Sequence, residues 1–360
     1  MKLIKTPSFA DDICEIRKRK VKSTFFKQIN LLIDWRPITN IINKHYTKGE
    51  SITGKPAYSG LLLFKMSLLQ TWYGLSDYEV EDRINDSISF SSFCDLSIEE
   101  TAPDHSTLSR FRKELTQKGV YEKVFREMNK QLEKHSIIVK TGAIVDASVI
   151  DSPFKPKGRA TFEVETDRME DPRSTVELEK EQEEKQLQKM THGSVDTDAA
   201  WLKKAGKLRY GYKKHIVTES EGLVIGVTTT AANVNEIANL EDVLEDIELP
   251  AGCYFYGDKG YKSAKNDELL KTKQLKNRIL KKAKKGNPLK ESEKRFNKLC
   301  GRIRFKVERT FGSTRIWFNS NKARYFGIAK MHTQNLMEAM AYNLYRSPGI
   351  IARNAQKIAK

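Results

Sequence analysis

The stretch CYFYGDKGYK, residues 253–262, decides the fold because an aromatic, β-prone run stops there on a carboxylate, Asp258. An Asp close to a Gly is commonly a turn former, since its side chain bonds the local backbone and Gly accepts positive φ. A carboxylate at the end of a buried strand is nevertheless costly unless it is paired or coordinates a cation. Asp258 is therefore either a turn residue or part of a site, depending on what the rest of the chain brings to it.

A second carboxylate interrupts another apolar run, GAIVDASVI at residues 142–150, where Asp146 stands in the middle. If the two strands lie side by side, both carboxylates come together, and their mutual repulsion requires a cation between them. Hard oxygen ligands of this kind suit Mg²⁺ or Mn²⁺. The two strands therefore predict a divalent-cation site at Asp146 and Asp258.

A third carboxylate, Glu308, lies in KVERTFG, within a segment from 291 to about 316 that we predict as one long helix. Arg304 one turn earlier and Arg315 two turns later share a helix face with it. Glu308 can complete the ligand set, but an ordinary ion pair within the helix would explain the same spacing.

Local signals place helices in the first third of the chain. The apolar segment 59–74 predicts a buried helix that ends at Gly74, a usual residue at a helix C-terminus. Ser76 and Glu79 then have the spacing of a capping box, which satisfies free N–H groups at the start of a helix. These signals predict two consecutive helices joined by a short turn.

Residues 1–135 as a whole are predicted to be helical. A later helix, PDHSTLSRFRKEL at 103–115, carries Arg110 and Lys113 away from its apolar stripe. Short helices leading to one with a basic outer face are typical of a helix-turn-helix DNA-binding region. Many small helical bundles share this pattern, so a purely structural role stays open.

From residue 142 onward the pattern changes to strands alternating with helices. The predicted strands are 142–150, two strands flanking a hairpin turn at Glu221-Gly222, 253–258 and 277–280. A helix ending near Pro250 and a closing helix at 331–346 accompany them. A charged insertion at about 152–207 separates the first two strands. The order predicts an α/β fold with a mixed sheet flanked by helices.

Positive charge is concentrated in one part of the chain. The protein has 360 residues and a formal net charge of +17, and residues 259–330 alone contain 23 Lys and Arg against five Asp and Glu. Such a concentration indicates a polyanionic partner, and arginines and aromatics between the lysines favour nucleic acid. A solvated lysine-rich face that improves solubility is the alternative.

Several classes of protein are disfavoured by composition. No stretch approaches the ~18 uninterrupted apolar residues of a membrane helix, and the N-terminus has no apolar segment of signal-peptide length. The four cysteines are far apart, and the six histidines do not have the spacing of zinc ligands. We therefore expect a cytoplasmic protein without a zinc site.

The three acids resemble the Asp-Asp-Glu triad of ribonuclease-H-like polynucleotidyl transferases, with Asp146 and Asp258 on two predicted strands and Glu308 on a predicted helix. Four short segments are similar to motifs of bacterial DDE transposases of the insertion sequence five family: IVDAS, YGYKKH, YGDKGY and RFKVERTFG. The similarity covers roughly residues 55–345. In the Tyr, Arg, Glu, Lys signature around the glutamate, Gly301 stands where Tyr is usual and Arg315 where Lys is usual. Arg315 keeps the positive charge of the usual lysine, but an arginine binds phosphate through a planar fork of N–H donors.

The resemblance implies a ribonuclease-H-like mixed five-stranded sheet at 136–346, preceded by the helical DNA-binding region 1–135 and followed by a basic tail, 347–360. It implies a transposase that cleaves the terminal inverted repeats of an insertion sequence and joins the 3′-hydroxyl ends to target DNA. Two Mg²⁺ ions, with Mn²⁺ as a substitute, would be held by the three carboxylates. A homodimer in the DNA complex is expected, since two ends must be cut. The alternatives are a catalytically silent DNA-binding protein, a nuclease without strand transfer and, more remotely, an RNA-binding protein.

The candidate DNA contacts are basic or aromatic side chains on or beside these motifs: Arg304, Arg309, Arg315, Lys259, Tyr261, Lys281, Lys282, Lys284, Lys285, Arg110 and Lys113. Tyr261 can stack on an unpaired base or simply close the core. His215 in YGYKKH is expected to have a core or supporting hydrogen-bonding role. The lysines of LKKAKKG, residues 280–286, would follow the DNA backbone without reading its sequence.

Overall fold

The computed structural model describes residues 20–46, 57–97, 99–156, 195–204, 206–283 and 288–358. Most of the predicted insertion lies outside these residues, as do Lys284 and Lys285. Within these ranges no helix is both long and apolar enough to span a bilayer.

The N-terminal part is helical, as predicted. Its helices are α1 (Lys20–Leu32), α2 (Trp35–Asn43), α3 (Gly60–Tyr73), α4 (Asp77–Asp86), α5 (Ile88–Phe93), α6 (His105–Gln117) and α7 (Val120–Lys134). Helix α3 ends at Gly74 in the left-handed conformation, with φ of 66°. The capping box is confirmed: the Ser76 backbone N–H donates to Glu79, and the Glu79 N–H donates to the Ser76 hydroxyl.

A mixed sheet follows, flanked by helices on both faces. Its strands are β1 (Gly142–Asp151), β2 (Ala200–Lys204), β3 (Lys207–Glu219), β4 (Val224–Ala231), β5 (Tyr254–Gly257) and β6 (Lys276–Ile279). The five main strands run in the order β4-β3-β1-β5-β6, and β2 pairs with the first half of β3. β3 is antiparallel to β1 and β4, whereas β5 is parallel to β1 and β6. The predicted mixed five-stranded sheet is confirmed.

Helices α8 (Leu240–Leu244), α9 (Ala264–Thr272), α10 (Glu291–Phe318) and α11 (Ile328–Ile358) complete the described chain. α10 packs against β1 and β5, and α11 packs against β4 and β3. α8 lies on the opposite face, where a side chain at Gly226 of β4 would collide with Ile247. The sheet is therefore buried on both sides, which agrees with the apolar runs of its central strands.

The β3–β4 hairpin turn was predicted at Glu221-Gly222. Gly222 has a φ of +90°, a value that side chains rarely tolerate, so the turn requires glycine there. The buried Glu219 carboxylate accepts the backbone N–H groups of Glu221 and Leu223. Backbone groups that the tight turn leaves unpaired are satisfied in this way.

Three element boundaries differ from the sequence predictions. Strand β2 and the start of β3 lie in the segment assigned to the insertion, where the charged side chains conceal a short exposed hairpin. Helix α8 has only five residues and ends at Leu244, although a helix ending near Pro250 was predicted. Helix α11 continues through Pro348 to Ile358, so most of the predicted tail is helical. Ile350, only 4% exposed, packs into the core and extends the helix beyond residue 346.

One hydrophobic core connects the N-terminal helices, the sheet and the last two helices. It runs from Phe26 in α1 to Ile350 in α11. The indole N–H of Trp72 in α3 donates to the backbone carbonyl of Ala341 in α11, at 2.9 Å. Helix α11 therefore joins the helical region to the sheet.

A buried ion pair lies between the sheet and this helix. Lys214 of β3 donates to Glu338 of α11 at 2.5 Å, and both side chains are at most 5% exposed. Gln334 donates to the other Glu338 oxygen at 2.9 Å. Because both charges are out of water, loss of either partner would leave the other uncompensated.

We expect Glu338→Ala to lower the free energy of unfolding by about 3 kcal/mol or more, because Lys214 would remain buried without a counter-ion. The double variant Lys214→Met, Glu338→Leu should be considerably more stable than Glu338→Ala. Chemical denaturation followed by circular dichroism measures both. Glu291→Gln, which breaks the exposed pair with Lys294, is the control and should cost less than about 1 kcal/mol. Equal stabilities for Glu338→Ala and wild type would contradict the expectation.

Candidate active site

The register of two parallel strands positions Asp146 and Asp258. Val145 of β1 is the partner of Gly257, the last residue of β5. Asp146 is the next residue of β1, and Asp258 directly follows β5. Residues in register on neighbouring strands point to the same face of a sheet. Asp146 and Asp258 therefore both face α10.

One guanidinium group lies between the two carboxylates. Arg304 of α10 donates through Nη2 to Asp146 Oδ2 at 3.0 Å and through Nη1 to Asp258 Oδ1 at 3.4 Å. Arg304 is 9% exposed, and its Nε–H has no hydrogen-bond partner among the described residues. The side chains of Asp146 and Asp258 are 18% and 34% exposed, so solvent reaches the site from the Asp258 side.

The electrostatics of Asp146 reflect its burial. Burial raises the pKa of the Asp146 carboxyl above its ordinary value, the Arg304 guanidinium opposes this, and Asp258 and Glu236 add to it. Raised pKa values with identifiable charge partners are common where proteins bind cations or perform chemistry. The Arg304 guanidinium therefore favours the ionised form of Asp146 against the effect of burial.

Helix α10 also carries Glu308 and Arg315 on the face that bears Arg304. Arg315 donates through Nη2 to the hydroxyl of Ser148 on β1 at 2.7 Å. Glu308 is exposed, and its carboxylate has no hydrogen bond or ion pair within the described ranges. The ion pair within the helix that was the alternative explanation for Glu308 does not form. In the described part of the chain no three acidic, His or Cys side chains stand close enough together to hold a metal ion.

Asp258 is also the turn former that its sequence suggested. Its Oδ1 accepts the backbone N–H of Lys259 at 2.7 Å and caps a short 3₁₀ turn, Lys259–Tyr261. A Cβ atom at Gly260 would lie 2.4 Å from Oε2 of Glu236. The group that approaches this backbone is therefore the Glu236 carboxylate.

Tyr261 is not available to a base, so its assignment as a DNA contact is wrong. Its side chain is fully buried, at 0% exposure, and its hydroxyl lies 3.2 Å from Nδ1 of His215. The other ring nitrogen of His215 lies 3.1 Å from the Thr230 hydroxyl. Burial, reinforced by Lys213, lowers the pKa of His215 to about 3, so the ring is neutral at physiological pH. His215 thus has the core hydrogen-bonding role predicted for it.

The other candidate DNA contacts are mostly at the surface. The exposed ones are Lys259, Lys282, Arg309, Arg315, Arg110 and Lys113, and Lys281 is partly exposed. Arg309 donates to the Glu221 carbonyl at 3.0 Å, and Arg110 donates to the Ser106 hydroxyl at 2.8 Å. Arg304, in contrast, is buried against the carboxylates and does not present a free guanidinium to solvent.

Sequence reasoning missed two residues beside the site. Ser148 follows Asp146 by two positions, and the period of two in a strand could have placed it on the same face. Glu236 precedes α8, where an acidic residue resembles an ordinary helix-start charge. Its side chain lies 3.7 Å from the buried Lys213 ammonium and contributes to the raised pKa values of Asp146 and Tyr261.

The carboxylate oxygens of Asp146 and Asp258 match part of the ligand set that a hard divalent cation requires. Two carboxylates from adjacent strands converge on a single positive group, which is the arrangement that repulsion between them requires. Oxygen donors of this type suit Mg²⁺ and Mn²⁺. Glu308, one turn along α10 from Arg304, has a carboxylate without a partner in the described structure. Asp146 and Asp258 are thus the two candidate ligands that the structure brings together, and Glu308 is a third candidate on the α10 face that bears Arg304.

Two family matches cover most of the chain. Residues 139–344 match the family described as transposase DDE domain, and residues 14–114 match a transposase domain, DUF772. A curated relative, the transposase for insertion sequence element IS1106 of Neisseria meningitidis serogroup B, is 34% identical over 240 residues. The aligned part covers 66% of this chain and 76% of that protein.

Solved structures give weaker likenesses. A piggyBac transposase synaptic complex with hairpin DNA matches with a TM-score of 0.38 and 11% identity, covering 93% of this chain and 76% of that one. A pre-cleavage Mos1 transpososome matches with a TM-score of 0.19 and 10% identity, covering 92% and 97%. Scores of this size do not establish a shared fold.

We expect Tyr261→Ala to lower the free energy of unfolding by about 3 kcal/mol, because it removes a fully buried aromatic ring. Tyr261→Phe should cost only about 1 kcal/mol, the value of one hydrogen bond. Chemical denaturation measures both. Lys259→Ala, an exposed change in the same turn, is the matched control and should alter stability by less than about 0.5 kcal/mol. A Tyr261→Ala protein as stable as wild type would show that the ring is not a core element.

Proposed function

The chain belongs to the transposase DDE domain family, and on that premise we propose that it binds the terminal inverted repeats of an insertion sequence, cleaves them and joins the 3′-hydroxyl ends to target DNA. The observation that carries this proposal is the convergence of Asp146 and Asp258 on Arg304. The family match at 139–344 includes both aspartates, the arginine and Glu308.

We assign Asp146 and Asp258 as shared ligands of two divalent cations and Glu308 as the acid that completes one ligand set. Mg²⁺ or Mn²⁺ bound there would supply an activated water and stabilise the leaving 3′-oxygen. The role of the protein is to hold these carboxylates on rigid strands and on one helix face. For Glu308 this assignment rests on its position and its unpaired carboxylate.

The proposed phosphate contacts are the arginines of α10 and Lys259. A guanidinium has five N–H donors, so Arg315 can hold Ser148 and still donate to a phosphate oxygen. Arg309 is exposed on the same helix, and Lys259 is exposed directly after Asp258. Forked arginines suit the positioning of a phosphodiester beside the carboxylates. Once cleavage has freed the 3′-hydroxyl, that hydroxyl would attack a target phosphate at the same site.

DNA outside the site would follow the basic surface of residues 259–330. Lys281 is held near Phe296, with its ammonium 5.8 Å from the ring centroid, and Lys282 is exposed beside it. Arg110 and Lys113 on α6 are the proposed contacts of the helical region. These side chains bind phosphates and supply affinity without reading sequence. Two element ends must be cut, so we propose that two copies of the chain act together on DNA.

Two rival functions remain distinguishable by experiment. A catalytically silent DNA-binding protein would leave supercoiled plasmid intact with or without Mg²⁺. A nuclease of the same fold would cut DNA but yield no joined product from pre-cut ends. The unpaired Glu308 and the intact aspartate pair favour the active enzyme over the silent one.

We expect Asp146→Asn to reduce Mg²⁺-dependent strand cleavage at least about a thousandfold, because cation-assisted activation of water is worth several kcal/mol. Binding to element-end DNA in the absence of divalent cations should change little. Plasmid nicking and electrophoretic mobility shift assays measure the two properties. Asp151→Asn, on the same strand but paired with Arg209, is the matched control and should still cleave. Cleavage retained by the purified Asp146→Asn protein would reject the assignment.

Joint replacement of Lys281, Lys282, Lys284 and Lys285 by Ala should weaken binding to all DNA sequences. The slope of log affinity against log salt should fall by about one unit for each lysine that contacts a phosphate. Replacement of the same four residues by Arg keeps every charge and should preserve the slope. Fluorescence anisotropy at several salt concentrations measures it. An unchanged slope in the Ala variant would remove this cluster from the DNA path.

A further inference from the structure

Arg304 occupies the position in which a cation is expected. Its guanidinium contacts one oxygen of each aspartate, at 3.0 and 3.4 Å. Arg304 is only 9% exposed. Its positive charge therefore offsets the repulsion between Asp146 and Asp258. A second positive group that used the same oxygens would have to displace it.

The arginine is also incompletely bonded where it lies. Buried polar groups nearly always have a hydrogen-bond partner, yet the Nε–H of Arg304 has none in the described structure. The two carboxylates use Nη1 and Nη2 only. An unused, buried donor beside two anions indicates that the guanidinium has another partner in a different state of the protein. A phosphate oxygen is the acceptor that suits an arginine fork.

We propose that Arg304 is a positioning residue with two alternating partners, the Asp146–Asp258 pair in the free protein and a DNA phosphate once a divalent cation binds the pair. This inference rests on the proposed function, because it takes the cation and DNA as ligands. In the free protein Arg304 holds the two carboxylates together and weakens cation binding. On DNA the phosphate draws the guanidinium away and leaves the carboxylates to the cation.

The two ligands are then linked. A phosphate that binds Arg304 removes the competitor of the cation, so DNA should raise cation affinity, and the cation should raise DNA affinity by the same factor. The site would remain weakly loaded until DNA is in place. Cleavage away from bound DNA ends would be disfavoured without a separate lid or a moving domain.

Isothermal titration calorimetry with Mn²⁺ alone, in the absence of DNA, tests the first half of the inference. Arg304→Gln should bind Mn²⁺ about tenfold more tightly than wild type, because the cation no longer displaces a charge-assisted hydrogen-bonded group. Arg302→Gln is the matched control: it removes the same charge from an exposed position two residues away and should change the affinity less than about twofold.

Arg304→Lys provides a second variant, since loss of a buried cation can unfold the protein. A lysine keeps the charge but cannot fork between two carboxylates, so Mn²⁺ affinity should rise by a smaller factor, about threefold. Circular dichroism confirms folding of each variant before titration. Equal or weaker Mn²⁺ binding by the folded variants would overturn the inference.

Titration in the presence of a short duplex DNA tests the second half. Wild type should bind Mn²⁺ more tightly with DNA than without it, whereas Arg304→Gln should show little change. Equal DNA effects in both proteins would overturn the alternation of partners. The outcomes also separate this inference from the proposed function. No Mn²⁺ binding by wild type or by any variant, with or without DNA, would reject both, whereas Mn²⁺ binding by wild type with no gain in the Arg304 variants rejects only the role of Arg304.

Discussion

Two carboxylates on adjacent strands of a buried sheet repel each other, and the arrangement is stable only if a positive charge lies between them. In the free protein that charge is the guanidinium of Arg304, which bridges Asp146 and Asp258. The bridge ties α10 to β1 and β5. Val307 and Phe311 pack the same helix into the core and hold the arginine over the sheet. The position of Glu308 along α10 follows from this docking.

The scaffold around the site is assembled from distant parts of the chain. Helix α11 binds the sheet through the buried Lys214–Glu338 pair and binds the N-terminal helices through the Trp72–Ala341 hydrogen bond. The helical region and the sheet consequently share one core. Carboxylates mounted on central strands and on a docked helix are held more rigidly than carboxylates on loops. The proposed cation site would benefit from this rigidity.

The features that the sequence predicted correctly depend on local rules. The capping box at Ser76 and Glu79, the helix end at Gly74 and the glycine turn at Gly222 each involve neighbours within a few residues. The missed features depend on long-range packing. The ring of Tyr261 points into the core, because the 3₁₀ turn after Asp258 carries it toward His215 of β3. Helix α11 runs past residue 346 because Ile350 finds a place in the core.

By itself, the sequence determined the order of the five main strands, the concentration of positive charge in residues 259–330 and the identity of three acids in motifs similar to those of DDE transposases. Periodicity and capping encode these properties within short segments. Only the tertiary structure decided that Asp146 and Asp258 share Arg304, that Glu308 has no partner among the described residues and that Glu236 lies against Gly260. The reason is physical: strand register and helix docking bring together groups that are distant in the sequence, such as Arg304 with Asp258 and Asp146, which lie 46 and 158 residues away. No local pattern specifies which charges will meet.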